Sequence, residues 1–509
     1  GLVCSRQEGL GQGERLATIP QSALMNSLTA RRSAACAVLL ENAPELEEAQ
    51  VLVLHLIVAR QLGSKSHWAP YINILPPQEQ HPLYWETALV QLLRGSSLYP
   101  LLEEQRQLMQ TDLTTFREHS QLWHRLQPYL PKCGNEQQKS GSPTQGAAGA
   151  GSSLFVENDS AFELVRWAHA VILSRSFAVG CQTQPAAHQQ QQQRRHYERS
   201  EVAQGRGGAA RRRCSEATTQ QQQEQQHSGA WSTCSDGSDS VSSSSSSGRI
   251  SLVPWADSMN HQSDLFDAVF EFDLALQEMQ VRSGKDYACG EEVYICYNRE
   301  LTPLDTLVDF GFSESEEHVQ HYATDLPKEE LGPPMLQHAE FEQLLNDCLG
   351  EEECNGHPSS LNTSTGALTV STAIRVVACT TMGINAMNLL GIGPYGDSKK
   401  MAVIKYARAL AASPPEQGLL TEHSENLRWP ISCSNELGAL QRIEQACQSR
   451  LEGVRQVEHR VKVDYLARSN GEAQHCKDGV VQHILRTLAY ERKALHETQK
   501  LAKEWQGRV

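Results

Sequence analysis

An α+β protein, with a strand-rich centre set between helical stretches, is the fold class that the sequence predicts. Three observations carry it. Apolar residues recur at three- and four-residue steps in the early and late parts of the chain. Between residues 268 and 297 the period changes to two, and two low-complexity tracts break the globular pattern.

Taken in order, residues 31–62 and 101–126 read as helices with polar open faces. Cys133 to Ser153, rich in Gly, Ser, Gln and Ala, reads as a flexible connection. Ser160-Ala-Phe-Glu163 fits a capping box, and Phe162, Val165, Trp167, Val171 and Ile172 supply the apolar face of the helix that follows. Gln182 to Gly248 carries glutamine and serine runs that bury too little apolar area to offset the cost of ordering a backbone, so it reads as a disordered insertion. Beyond it, Ala268, Phe270, Phe272 and Leu274 alternate with Val269, Glu271 and Asp273. Val293, Ile295 and Tyr297 share a strand face after a turn at Gly290. Leu437, Leu440, Cys447, Leu451, Val454 and Val461, then Val481, Ile484, Leu488 and Leu495, mark long amphipathic helices and a separate α-helical domain.

Composition excludes several functions. Among 509 residues, 60 Asp and Glu stand against 45 Lys and Arg, a net charge of −15 that repels phosphate backbones. Nucleic acid is therefore not the expected partner. The apolar run Val51–Ala59, broken by His55, is too short to span a bilayer. The 14 cysteines include no CxxC pair, so no metal site is expected and a reducing, intracellular compartment is. Residue 1 is Gly rather than Met, which reads as a processed chain or a fragment.

Three segments carry chemistry. Val253-Pro-Trp-Ala-Asp-Ser-Met-Asn-His261 joins a strand end, an acid and an Asn-His pair, which by itself also reads as a turn. Gly290-Glu-Glu-Val-Tyr-Ile-Cys-Tyr-Asn298 by itself reads equally as an edge strand. Ser174-Arg175-Ser-Phe177 places a cation at a helix C-terminus, where the helix dipole favours it.

Taken together and in this order, the segments resemble the SET-domain protein methyltransferases, and most of all the class of the plastid RuBisCO large-subunit lysine methyltransferase. That class has an Arg-x-Phe element, a Pro-x-Ala-Asp-x-x-Asn-His loop, a Gly-Glu-x-Val-x-Ile-x-Tyr strand and a terminal Gly-Phe. Arg175–Phe177, Pro254–His261, Gly290–Tyr297 and Gly311-Phe312 match them. Gly1-Leu-Val resembles the end of the glycine-rich opening, and Glu14–Pro20 the strand after it. Ser66–Pro76 and Tyr84-Trp85 resemble the class's helical insert.

The resemblance implies a β-rich, threaded SET core with a helical insert, followed by an all-α C-terminal substrate-binding domain. The implied boundaries are 1–30 for the start of the core and 31–132 for the insert. A linker at 133–153 and a returning helix at 154–181 precede the insertion at 182–248. The core resumes at 249–325, and 330–509 form the helical domain. The implied activity is S-adenosyl-L-methionine-dependent methyl transfer to a lysine of a protein substrate, by a monomer without membrane or nucleic acid. RuBisCO or another plastid protein is the implied target, in the chloroplast or otherwise the cytoplasm. Tyr297 is the implied catalytic residue. Arg175, Asn260 and His261 are the cofactor-binding residues, and Asp257, Phe270 and Phe310 line the substrate channel.

The chain departs from the class at several positions. Phe310 and Phe270 stand where tyrosines are usual, Pro303 where Asn is common, and Val179 where a second arginine is often found. Losing two hydroxyls from the channel implies a more methylated product or another target. The alternatives are a non-catalytic SET scaffold that binds a protein partner, and a methyltransferase for histidine or a terminal amine.

Overall fold

The computed structural model describes residues 1–41, 43–76, 80–129, 160–179, 249–265, 269–273, 276–298, 301–332, 373–379, 402–422, 427, 430–465 and 474–509. Both low-complexity tracts, together with Ala268 and Leu274, lie outside them. Residues 1–179 and 249–509 form one compact unit.

The strands are β1 (Leu2–Val3), β2 (Arg15–Pro20), β3 (Met25–Asn26), β4 (Ser176–Val179), β5 (Arg249–Leu252), β6 (Asn260–His261), β7 (Val269–Asp273), β8 (Glu278–Arg282), β9 (Glu292–Ile295), β10 (His321–Pro327) and β11 (Ala373–Cys379). They make small sheets ordered β1-β9-β6, β2-β8-β7, β3-β5-β4 and β10-β11. Such short strands have few ladder bonds each, so their stability comes from the apolar cluster between the sheets. Leu24, Val253, Met259, Val281 and Ile295 are almost completely buried there. Phe270 and Phe272 project to the same side, as the period-two pattern requires.

The early helices are α1 (Ser27–Arg32), α2 (Ala34–Leu40), α3 (Glu48–Leu62), α4 (Ala69–Ile74), α5 (Thr87–Leu92), α6 (Leu98–Glu118) and α7 (Ser120–Leu126). Helix α3 is buried over Val51–Ala59 on every face. An apolar run without an open face belongs inside a helical cluster, and α3 packs against α1, α4 and α8 (Ser160–Arg175). Ser160 is itself helical, and Glu163 pairs with Arg166 one turn on.

Helix α9 (Pro303–Phe310) opens at Thr302, which with Asp305 forms a reciprocal capping box. Pro303 occupies its first turn, where a missing N–H costs nothing, and Gly311 closes it at φ 78°. The change from Asn to Pro at 303 is therefore a helix-start solution.

The late helices are α10 (Ala402–Ala411), α11 (Pro414–Glu422), α12 (Cys433–Arg460) and α13 (Gln474–Gln506). Leu440, Cys447, Leu451, Val454, Val461, Val481, Ile484, Leu488 and Leu495 are buried as their spacing predicts. Leu437 differs, at 36% exposed, because it lies one residue off the stripe set by Leu440 and Ile443. This cluster also takes in Trp85, Leu89 and Leu93 of the insert and Leu304 and Leu307 of α9. One continuous core therefore carries the late helices, part of the insert and the helix that ends in Phe310. No described helix is long and apolar enough to cross a membrane.

Candidate active site

The site is assembled from four separated segments. Strand β6 runs parallel to β9, pairing Asn260 with Tyr294 and His261 with Ile295. The Gln262 amide extends the pairing to the Ile295 carbonyl at 3.0 Å. Strand β1 occupies the other edge of β9, pairing Leu2 with Val293. The Gly1 backbone packs against the Glu292 carboxylate, where a Cβ would approach Asn260 Nδ2 to 3.1 Å and push the flexible Glu292 side chain aside.

Tyr297 lies two residues beyond β9. Its backbone N–H donates to His261 Nδ1 at 3.0 Å, and its hydroxyl donates to the Met259 carbonyl at 2.8 Å. The phenol therefore turns to the same short segment that carries the Asn-His pair. Burial pushes its pKa up to about 12, so it is a neutral hydrogen-bonding group and a poor base.

Around it the aromatic rings form a cluster. Tyr297 lies 4.9 Å, centroid to centroid, from both His261 and Phe310. Phe177 stacks on Phe270 at 4.3 Å and meets the Tyr297 ring edge-on at 6.4 Å. Phe312 completes the group 6.1 Å from Phe310. Phe270 and Phe310 thus stand with Tyr297, and Tyr297 carries the phenolic hydroxyl of the cluster.

Asp257 sits in a short turn (Ala256–Ser258) rather than in a strand, and is buried. Tyr71 of α4 donates to its Oδ2 at 2.6 Å, and Arg175 Nη1 lies 3.6 Å from the same oxygen. Burial raises the Asp257 pKa, opposed by the bond from Tyr71 and the charge of Arg175. Arg175 Nη1 also donates to the Asp257 carbonyl at 2.8 Å, while its buried Nε has no hydrogen-bond partner. The guanidinium is spent on one edge and open on another.

The turn begins at Trp255, whose φ of 75° and ψ of −51° place it in a tight γ-turn conformation that a bulky residue seldom adopts. Asn260 is exposed and donates to Glu292 Oε1 at 2.7 Å. His261, by contrast, is buried, and desolvation lowers its pKa to about 4. Tyr71, Phe312 and Trp255 were not singled out as site residues from sequence. Phe312 was within reach as part of the Gly-Phe match, and Tyr71 lay inside the Ser66–Pro76 match without a role assigned to it. Among the described residues no cluster of His, Cys, Asp and Glu is fit to hold a metal ion.

An Asn-His strand paired with the strand that leads to Tyr297, an aromatic cluster around that phenol, a helical insert and late helices form the arrangement expected of a SET type of fold. Solved structures resemble the whole chain. That of the SET domain of LSMT bound to lysine and AdoHcy matches with a TM-score of 0.56 at 15% identity, covering 99% of this chain and 85% of that one. Rubisco LSMT bound to AdoMet matches with a TM-score of 0.55 at 15% identity, covering 100% and 86%. Rubisco LSMT bound to sinefungin and monomethyllysine gives 0.53 at 16%, covering 99% and 85%. The chain therefore has the fold of Rubisco LSMT, as the motifs predicted. In sequence, the human SET domain-containing protein 4 is 30% identical over 112 residues. That match takes in 22% of this chain and about a quarter, 25%, of the length of the human protein. No family model matches the sequence.

Proposed function

We propose that the protein is an S-adenosyl-L-methionine-dependent protein-lysine N-methyltransferase. The observation that carries the proposal is the Tyr297 hydroxyl, set inside an aromatic cluster and bonded to the Met259 carbonyl beside the Asn260-His261 turn. Rubisco LSMT, whose fold this chain shares, is described with AdoMet and with lysine or methyllysine bound.

The residues fit such a donor. Arg175 Nε, buried without a hydrogen-bond partner, and the exposed Asn260 amide, now bonded to Glu292, are the polar groups that would hold it. When bound, the sulfonium supplies an electrophilic methyl group. The chain's part is positioning, which dominates an in-line displacement because the reacting atoms must align at near-attack distance. Tyr297, held as a neutral phenol, orients the incoming amine and adds an oxygen near the methyl group. The amine must arrive without its proton, and the apolar walls of Phe177, Phe270 and Phe310 disfavour the ammonium form.

Those walls also suit a methylated amine, since phenyl faces bury added methyl groups and give no hydrogen bond to fix the amine in one orientation. Successive methylation is the product pattern that follows. The substrate is a protein lysine, and RuBisCO large subunit or another plastid protein is the first to assay.

Tritium transfer from labelled S-adenosylmethionine into lysate proteins tests the proposal, with the labelled residue identified as methyllysine by mass spectrometry. Tyr297→Phe is expected to lower turnover by about 100-fold or more, while S-adenosylhomocysteine affinity changes by less than about threefold. Turnover within threefold of the unaltered chain would refute the assignment of Tyr297.

A further inference from the structure

The hydrogen bonds that hold the His261 ring continue beyond it, to residues outside the SET motifs. A backbone N–H can only donate, so the 3.0 Å contact from Tyr297 N makes His261 Nδ1 an acceptor. The proton of the neutral ring is therefore on Nε2. Nε2–H donates to Ser263 Oγ at 2.8 Å. That hydroxyl donates in turn to Glu314 Oε2 at 2.5 Å, and the Ser263 amide donates to Glu314 Oε1 at 3.0 Å. With Glu314 ionised, both of its contacts are donors, and each bond in the chain then has one direction.

We infer that Glu314 is a positioning residue for the site: its carboxylate fixes the proton polarity of the Ser263–His261 chain, and so the imidazole tautomer and the seat of the Tyr297 backbone. The consequence for methyl transfer rests on the proposed function, whereas the hydrogen-bond argument does not. Glu314 is held from α13. Tyr490 Oη donates to the Glu314 carbonyl at 3.0 Å, and Arg486 Nη1 to the Ser313 carbonyl at 3.1 Å. His483 Nδ1 accepts from the Ser313 amide, also at 3.1 Å. His483, Arg486 and Tyr490 lie on one face of that helix at steps of three and four, which is what gripping two adjacent residues requires. The last helix thus reaches the Tyr297 backbone amide through Glu314, Ser263 and His261.

An amide of the same shape separates this role from space filling. Glutamine at 314 sets an NH₂ group against one of the two Ser263 donors. Relief by turning the hydroxyl proton toward His261 Nε2 moves the ring proton to Nδ1, where it opposes the Tyr297 amide. Otherwise the hydroxyl proton is left without an acceptor. A residue that merely fills the gap tolerates the change.

The test is histidine-selective ¹⁵N NMR of the full chain without ligand, with a His261→Asn spectrum to assign the ring. The unaltered chain is expected to show the Nε2–H tautomer, and Glu314→Gln to lose it. Glu314→Gln is also expected to weaken S-adenosylhomocysteine binding about tenfold, the equivalent of one buried hydrogen bond. An unchanged Nε2–H pattern in Glu314→Gln would overturn the inference. Should that variant not fold, Ser263→Ala carries the test: averaging of the two ring tautomers supports the role, and a fixed Nε2–H ring refutes it. If the unaltered chain does not bind S-adenosylhomocysteine, the methyltransferase reading fails, and the ring spectrum still decides the role of Glu314.

Discussion

Around Tyr297 the chain is pinned by neutral imidazoles, whereas the late helices are pinned by buried ion pairs. His81, His261 and His483 each accept a backbone N–H at Nδ1, from Leu83, Tyr297 and Ser313 respectively. His81 adds a 2.9 Å bond from Nε2 to the carbonyl of Asp309, beside Phe310. In the late helices Arg408, 1% exposed, makes a two-pronged contact with Glu436 at 2.6 and 2.8 Å and donates to the Leu427 carbonyl at 3.0 Å. Glu491, fully buried, takes the amide and hydroxyl of Ser97 and lies 3.7 Å from Arg450. An imidazole can seat a backbone amide without bringing a charge into the site, which suits a pocket for a cationic donor. An ion pair is geometrically stricter and costs desolvation, and it is tolerable where nothing has to enter.

The widest gap between the two regions is expected on removal of one partner. Arg408→Ala leaves the Glu436 carboxylate buried without its partner, a loss of about 3–5 kcal/mol. Urea unfolding followed by far-UV circular dichroism measures it. A loss below about 1 kcal/mol would mean that this pair is not what holds α10 to α12, and the contrast would fail there.

Acid distinguishes the regions next. The pKa values of His81 and His261 are lowered by burial from 6.5 to about 4, and that of His483 is lowered too. Between about 6.5 and 4 the unfolded chain binds protons that these native rings refuse, so the stability they confer above 6.5 drains away as pH falls. Protonation would also set Nδ1–H against a backbone N–H at each ring. Glu491 works in the other direction: burial raises its pKa, so acidification neutralises it within the native state. Hydrogen exchange at about pH 7 and about pH 5, corrected for intrinsic rates, is expected to show residues 254–263 and 291–298 losing protection before 433–460. Simultaneous loss would show that both regions depend on the same groups.

The two regions were also unequally legible in the sequence. Helices α12 and α13 announce themselves through many repeats of one stripe, and burial of Leu440, Leu451 and Ile484 follows from spacing alone. Strands β1, β3 and β6 are two residues each, too short for any period to appear. Their pairing, such as Asn260 with Tyr294, is long-range, and the order of the motifs indicated only that these segments belong to one core. Tyr297, Phe270 and Phe310 came through that order and do stand together. Asn260, expected to be a cofactor-binding residue, is exposed and donates to Glu292 at the edge of a three-stranded sheet. Glu314 and Tyr71 were missed for a common reason. Each acts on a residue more than 50 positions away, Glu314 through two hydrogen bonds from Ser263 and Tyr71 through one to Asp257, and no sequence period links such partners.

The smallest expected effect concerns a place where the site region borrows the other device, a buried carboxylate. Asp257 is held by Tyr71 and Arg175, and two roles compete for it, support of the turn or contact with substrate. Tyr71→Phe removes a single hydroxyl and keeps the ring, which is itself 5% exposed and packed in the insert. The lost bond to a carboxylate is worth about 1.5–3 kcal/mol, and the turn that begins at strained Trp255 depends on it. If Asp257 supports the turn, stability falls by that amount and S-adenosylhomocysteine affinity falls with it, since the turn runs into Asn260 and His261. If Asp257 meets the substrate, KM for the protein rises while cofactor affinity holds. Melting, calorimetric titration with S-adenosylhomocysteine and steady-state kinetics on the one variant separate the two. The 2.6 Å bond and the near-complete burial of the carboxylate favour the first outcome, and contact with substrate would have to use Oδ1, which is buried without a hydrogen-bond partner.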